Sequence, residues 1–272
     1  MTKKNKSAIQ RRLIPTYIFL IIVSFISVFP LYWMISAATN TSTDVSRGRI
    51  IPGSHFMENF RNLTSQQPLW RALGNSFFYA ILTTVICLLI CSIAGYGFEV
   101  YHDKWKDRVF SILLLAMMVP QVATMVPLFK MFSKAGLLNT AVGFILPIIS
   151  TPFMIMMFRQ NARSFPVDII EAARIDGLNE VRIFFQMFIP TMKSTYAAAA
   201  VITFMNAWNS YLWPKVIMTD NKAMTMPMLI ANLITGYVTD YGMLMCGVLF
   251  CSIPTMIVFF VLQKQFAEGI TG

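Results

Sequence analysis

Long apolar runs alternate with short polar, charged connections along most of this chain. A membrane-crossing helix needs about 20 mostly apolar residues. Six runs approach or reach that length: roughly 14–38, 73–98, 109–129, 141–160, 195–217 and 243–262. This pattern predicts an all-α transmembrane fold: a tail over 1–13, one transmembrane domain over 14–262 and a second tail over 263–272. The basic start resembles the head of a signal peptide, but the apolar run behind it is too long for one, so an uncleaved first span is expected. Pro52-Gly53 marks a turn in the longest outer connection, 35–72.

One connection, 164–190, is patterned as a folded element rather than a soluble link. Ser164 can cap a helix, and Pro166 suits its first turn. Asp168 and Glu171 put negative charge near the helix N-terminus, where the dipole favours it. Ile169, Ala172 and Ala173 recur at helical spacing, and the two alanines offer a small surface for close approach. Gly177 suits the left-handed position that ends a helix. Asn179 can cap a second short helix, and Pro190 closes the unit. The product is two short helices about a glycine bend. These residues alone leave a docking element and an ordinary helical loop equally open.

Composition agrees with the apolar pattern. The chain is 56% hydrophobic and 12% charged, too few charges to cover a water-facing surface, since soluble domains carry about 25%. The net charge is +10, but the charges form no aromatic-interleaved stripe, so a nucleic-acid partner is not expected. Instead the basic residues are distributed by side. Fourteen of the 22 Lys and Arg fall in 1–13, 99–108, 159–194 and 263–272. Lys and Arg accumulate in the cytoplasm, which places both termini and the 164–190 segment there. Cys87, Cys91, Cys246 and Cys251 lie inside apolar runs and read as buried free thiols, with no metal site. The triplets starting at Asn40 and Asn62 match the glycosylation pattern but carry no weight.

Chemistry is sparse. No Gly is followed by Lys anywhere, so a phosphate-cradling ATP loop cannot form in this chain. No Asp or Glu falls at a span centre, which counts against proton coupling. No hydrolase motif is present, and the chain is not expected to be an enzyme. Polar residues inside apolar runs are costly and usually face the bundle interior, where they can line a path. The candidates are Asn206, Trp208, Asn209, Tyr211 and Trp213 in the fifth run, Gln121 beside Thr124, and Asn75 at the start of the second. Aromatic residues near a span end also serve as interface anchors, and amides also bond between helices.

The run Glu171-Ala172-Ala173, then Asp176-Gly177, then Ile189-Pro190 resembles the EAA motif of ATP-binding-cassette importer permeases. Leu178 and Ile189 depart mildly from the family's usual residues. Glu58-Asn59-Phe60, Asn75-Ser76, Leu137-Leu138-Asn139-Thr140 and Trp208-Asn209-Ser210-Tyr211-Leu212-Trp213-Pro214 are similar to other stretches of the carbohydrate-uptake subfamily, specifically its six-span maltose type. The resemblance implies a subunit that passes a sugar, expected to be an oligosaccharide, through the cytoplasmic membrane. It implies a homologous second permease, two ATPase subunits that hold ATP and Mg, and an extracytoplasmic sugar-binding protein. No cofactor is implied in this chain. Glu171, Ala172, Ala173, Asp176 and Gly177 would be the residues that couple to the ATPase. The rival reading is a secondary transporter or channel with an incidental loop of this kind.

Overall fold

The computed structural model describes residues 3–235 and 239–271, with side chains over 13–235 and 239–261 and at Gln263. The basic groups Lys3, Lys4, Lys6, Arg11, Arg12 and Lys264 lie outside the described side chains. The chain begins with helices α1 (Lys3–Ala38), α2 (Ser42–Ser46), α3 (Phe56–Gln66) and α4 (Leu69–Val100). Next come α5 (Lys104–Ala116), α6 (Gln121–Lys134), α7 (Ala141–Ile145) and α8 (Pro152–Ala162). Helices α9 (Val167–Ile175) and α10 (Glu180–Ile183) run into a π-helical turn, Phe184–Phe188. The rest is α11 (Ile189–Thr191), α12 (Lys193–Trp208), α13 (Leu212–Ile217), α14 (Met226–Ile234) and α15 (Tyr241–Thr271). No strand forms among the described residues.

Three stretches are long and apolar enough to cross a membrane: Leu13–Ala38, Leu69–Val100 and Tyr241–Val261. They correspond to the first, second and sixth runs. The other three runs are not continuous helices. The third is α5 and α6 with a 100° bend between them. Pro120 sits at that break in an extended conformation (φ −61°, ψ 129°), and proline disfavours helix in the residue before it. The fourth splits into α7 and α8 around Pro147, and the second piece restarts where Thr151 Oγ1 accepts from the Met154 N–H at 3.4 Å. The fifth divides at Asn209 and Ser210 into α12 and α13.

The chain forms two compact units: the described parts of Met1–Gln67 with Asn232–Phe250, and Pro68–Ala231 with the described part of Cys251–Gly272. In the first, the connection after α1 folds back on that helix through side-chain amides. Asn40 Nδ2 donates to Ser36 O at 2.9 Å and Ile51 O at 3.0 Å. Asn59 Nδ2 donates to Ala38 O and Asn40 O, both at 2.9 Å. Asn40 is fully buried, so the glycosylation triplet there is a structural amide. Most apolar side chains of α1 are exposed, among them Phe19, Ile21, Phe25 and Ile26, as expected of a helix facing lipid or another subunit rather than water.

In the second unit α4 lies against α8 and α12. Gly95 makes the first approach possible, because a Cβ there would stand 2.6 Å from Phe158 Cβ and 2.7 Å from the Arg159 amide nitrogen. Cys87, Cys91, Phe158 and Ala199 form the seam, and all four cysteines are free thiols. One end of the seam is ionic. Arg159, 8% exposed, donates to Glu99 Oε2 at 3.2 Å and Asp107 Oδ1 at 2.5 Å. Its guanidinium also lies 4.3 Å from the centre of the Phe110 ring. This pin ties α4, α5 and α8 together.

Candidate functional site

The 164–190 segment forms a helical hairpin. Pro166 occupies the cap position with φ −65° and ψ 125°, so α9 starts at Val167. Ser164 does not cap it; its hydroxyl donates to Asn161 O at 2.7 Å. Helix α9 ends in two reverse-turn hydrogen bonds: the Gly177 N–H donates to Arg174 O at 3.1 Å and the Leu178 N–H to Ala173 O at 3.0 Å. That pair is the Schellman termination, which needs a left-handed residue between helix and exit. Gly177 supplies it with φ +81°. Asn179 Oδ1 then accepts from the Arg182 N–H at 2.9 Å and starts α10.

Each residue of α9 turns 100° from the last, and burial shows which way each points. Ile170 and Ala173 face inward, 2% and 5% exposed, against Tyr96, Phe165, Ile183, Phe184 and Phe188. Glu171, Ala172 and Ile175 point away from that cluster and are exposed, Ile175 by 87%. Ile169 sits at the rim, 38% exposed. The expected common face of Ile169, Ala172 and Ala173 is therefore divided. Ala173 seats the helix on its own body, and Ala172 remains outside. Asp176 is exposed as well. Glu171 makes no hydrogen bond or ion pair among the described residues.

A polar bracket, not anticipated from the sequence, closes the hairpin. Arg174 Nε donates to Glu180 Oε1 at 2.7 Å across the bend, and the Tyr101 hydroxyl, just beyond α4, donates to Glu180 Oε2. The Arg174 hydrogen bond, followed by that from Tyr101, holds the Glu180 carboxyl below the usual carboxylate range. Burial, then the bond to Glu180, raises the Tyr101 hydroxyl. Opposite charges on either side of Gly177 were the available signal for this pair. Nothing local pointed to Tyr101, which is 79 residues away from Glu180.

A second feature is a cavity of about 760 Å³ bounded by the start of α6, the turn before α8 and the junction of α12 with α13. Gln121, Asn206, Asn209 and Tyr211 line it, together with Thr124 and Ser210. Val119, Met125, Leu128 and Ile148 form its apolar wall. Asn206 and Asn209 are exposed, one turn apart, and neither side chain makes a hydrogen bond among the described residues. Trp213 touches the cavity, but it is 3% exposed and its indole N–H donates to Gly143 O at 3.1 Å. Two expected path residues lie elsewhere. Trp208 is 1% exposed, donates to Cys251 O at 3.0 Å and packs on Phe77 and Phe204. Asn75 Nδ2 donates to Lys222 O and Met224 O, both at 2.8 Å, and holds the segment before α14.

Residues 88–272 match the family described as "Binding-protein-dependent transport system inner membrane component". The lactose transport system permease protein LacG of Rhizobium radiobacter is 40% identical over 268 residues, 98% of each chain. The arabinooligosaccharides transport system permease protein AraQ of Halalkalibacterium halodurans is 36% identical over 254 residues, 92% of this chain and 91% of that protein. A solved chain of a bacterial ABC transporter involved in the import of the acidic polysaccharide alginate shares the fold, with a TM-score of 0.83 at 20% identity, over 98% of this chain and 99% of that one.

Proposed function

Because the chain belongs to the binding-protein-dependent transport system inner membrane component family, we infer that it is the membrane-spanning subunit of an ABC importer for a sugar, driven by ATP hydrolysis on partner subunits. The α9–α10 hairpin carries this reading. It is rigidly seated by Ile170 and Ala173, ended by Gly177, and turns Glu171, Ala172 and Ile175 to the outside. A partner that grips that face moves a braced element rather than a floppy loop. Glu171, Ala172, Ile175 and Asp176 are the contact residues in this account; Ala173 and Gly177 position them.

The lactose and arabinooligosaccharide permeases, similar over nearly the full chain, support a sugar and favour an oligosaccharide. A homologous second permease completes the pathway as a heterodimer. Two ATPase subunits bind ATP and Mg beneath it, and an extracytoplasmic binding protein delivers the sugar. This chain contributes no catalytic group. The excess of Lys and Arg in 1–13, 99–108 and 159–194 favours cytoplasmic termini and a cytoplasmic hairpin. Glu99 and Asp107 are already paired with Arg159, which speaks against their use as proton carriers.

Purification of the chain with its neighbours in the membrane tests this function. ATPase subunits co-purify, and binding protein plus sugar raises ATP turnover. Sugar transport by this chain alone, indifferent to ATP, would overturn the reading.

A further inference from the structure

We propose that the cavity beside α12 selects uncharged sugars and turns away acidic ones, an inference that rests on the importer reading above. None of its lining residues is Asp, Glu, Lys, Arg or His. Lys130 and Lys215 lie two residues beyond the lining positions Leu128 and Trp213 and do not line the cavity. What the cavity offers is neutral and two-way. The carboxamides of Gln121, Asn206 and Asn209 each donate two hydrogens and accept through an oxygen. Sugar hydroxyls also donate and accept, so they match such groups without any change of charge. The apolar wall of Val119, Met125, Leu128 and Ile148 suits the C–H faces of a pyranose. The volume lies within the small-molecule range of about 300–1,000 Å³.

An acidic sugar meets the same groups on worse terms. Its carboxylate or phosphate must give up water, and an ion moved from water without a counter-charge is strongly disfavoured. Sites that favour such anions supply guanidinium or ammonium groups, and none lines this cavity. The N-terminal ends of α6 and α8 do reach the cavity at Gln121 and Pro152. Each helix end carries roughly half an elementary charge; no side chain caps α6, whereas the α8 end is already partly used. Pro152 has no N–H, and Thr151 Oγ1 takes the Met154 N–H. These dipoles are a weak substitute for an arginine.

The test is ATP-driven uptake into proteoliposomes holding the whole complex and its binding protein. Lactose and arabinotriose serve as neutral probes, lactobionate and trigalacturonate as acidic ones. Neutral uptake at least about tenfold faster than acidic is expected, since a tenfold ratio corresponds to about 1.4 kcal/mol. Asn209→Lys is expected to shift that ratio about tenfold toward the acidic probes. Asn206→Lys serves as a second variant, and co-purification of the ATPase reports assembly of either. Acidic uptake equal to neutral in the wild type, still requiring ATP, would overturn the selection while the importer reading stands. An unaltered ratio in both assembled lysine variants would also overturn it. Uptake that ignores ATP would overturn the importer reading instead.

Discussion

At Gly177 a single backbone angle determines whether the hairpin exists. Its φ of +81° lies where a side chain costs about 1–2 kcal/mol, and nothing stands within 4 Å of where a Cβ would be. The requirement is therefore conformational, not steric. Gly177→Asn is expected to keep most uptake, because asparagine tolerates this region. Gly177→Pro fixes φ near −65° and deletes the N–H that bonds Arg174 O. It is expected to abolish uptake while membrane content stays normal, as measured by immunoblot beside sugar flux. Equal uptake by both variants would refute the bend's role. The glycine was legible from its place after a helical pattern. The phase of the preceding helix was not, because Val167, Ile169, Ile170 and Ile175 are all apolar. Their sequence does not distinguish Ile170, packed against Phe184 and Phe188, from exposed Ile175.

Within the hairpin as an element, the salt bridge between Arg174 and Glu180 is partly exposed on both sides, so its contribution is modest and screened. The hydrogen bonds to Glu180 depress its folded-state pKa. A depressed carboxylate contributes stability that is present above its unfolded value, about 4.3, and is lost as pH falls through the lower folded value. Hydrogen exchange of the α9 and α10 amides is thus expected to stay flat from neutral pH down to that range and quicken below it, after correction for the intrinsic rate. Glu180→Gln should flatten the acid limb. An unchanged limb in that variant would assign the loss to another group. At this scale the hairpin was readable and the broken runs were not. Apolar length alone cannot separate a straight span from α5 and α6, where α5 stops at Ala116, α6 restarts after Pro120 and a 100° bend separates them. The cavity was half readable. Asn206 and Asn209, the latter just past the end of α12, both line the cavity, whereas Trp208 and Asn75 find partners within the fold.

For the whole molecule, the exposed apolar surface of α1 and the proposed cytoplasmic hairpin make a joint demand on topology. Reporter fusions at both ends are expected to report the cytoplasmic side. A cysteine placed at Ile175, 87% exposed, is expected to react in inverted vesicles stripped of the ATPase subunits and resist an impermeant thiol reagent in intact cells. Labelling from outside would reverse the assigned orientation.

The two-sided character of α9 also divides its evolutionary obligations. Ile170 and Ala173 answer to residues encoded in the same gene, since they sit among Tyr96, Phe184 and Phe188. Glu171, Ala172 and Ile175 are exposed outside that cluster, and under the proposed docking they answer to a different gene. Substitutions at the first pair should be balanced by changes elsewhere in this chain, and those at the second set by changes in the ATPase. Under that docking the compatibility strip, about one and a half turns long, would be small enough to transplant, so that exchanging only those exposed positions would let one motor serve several importers.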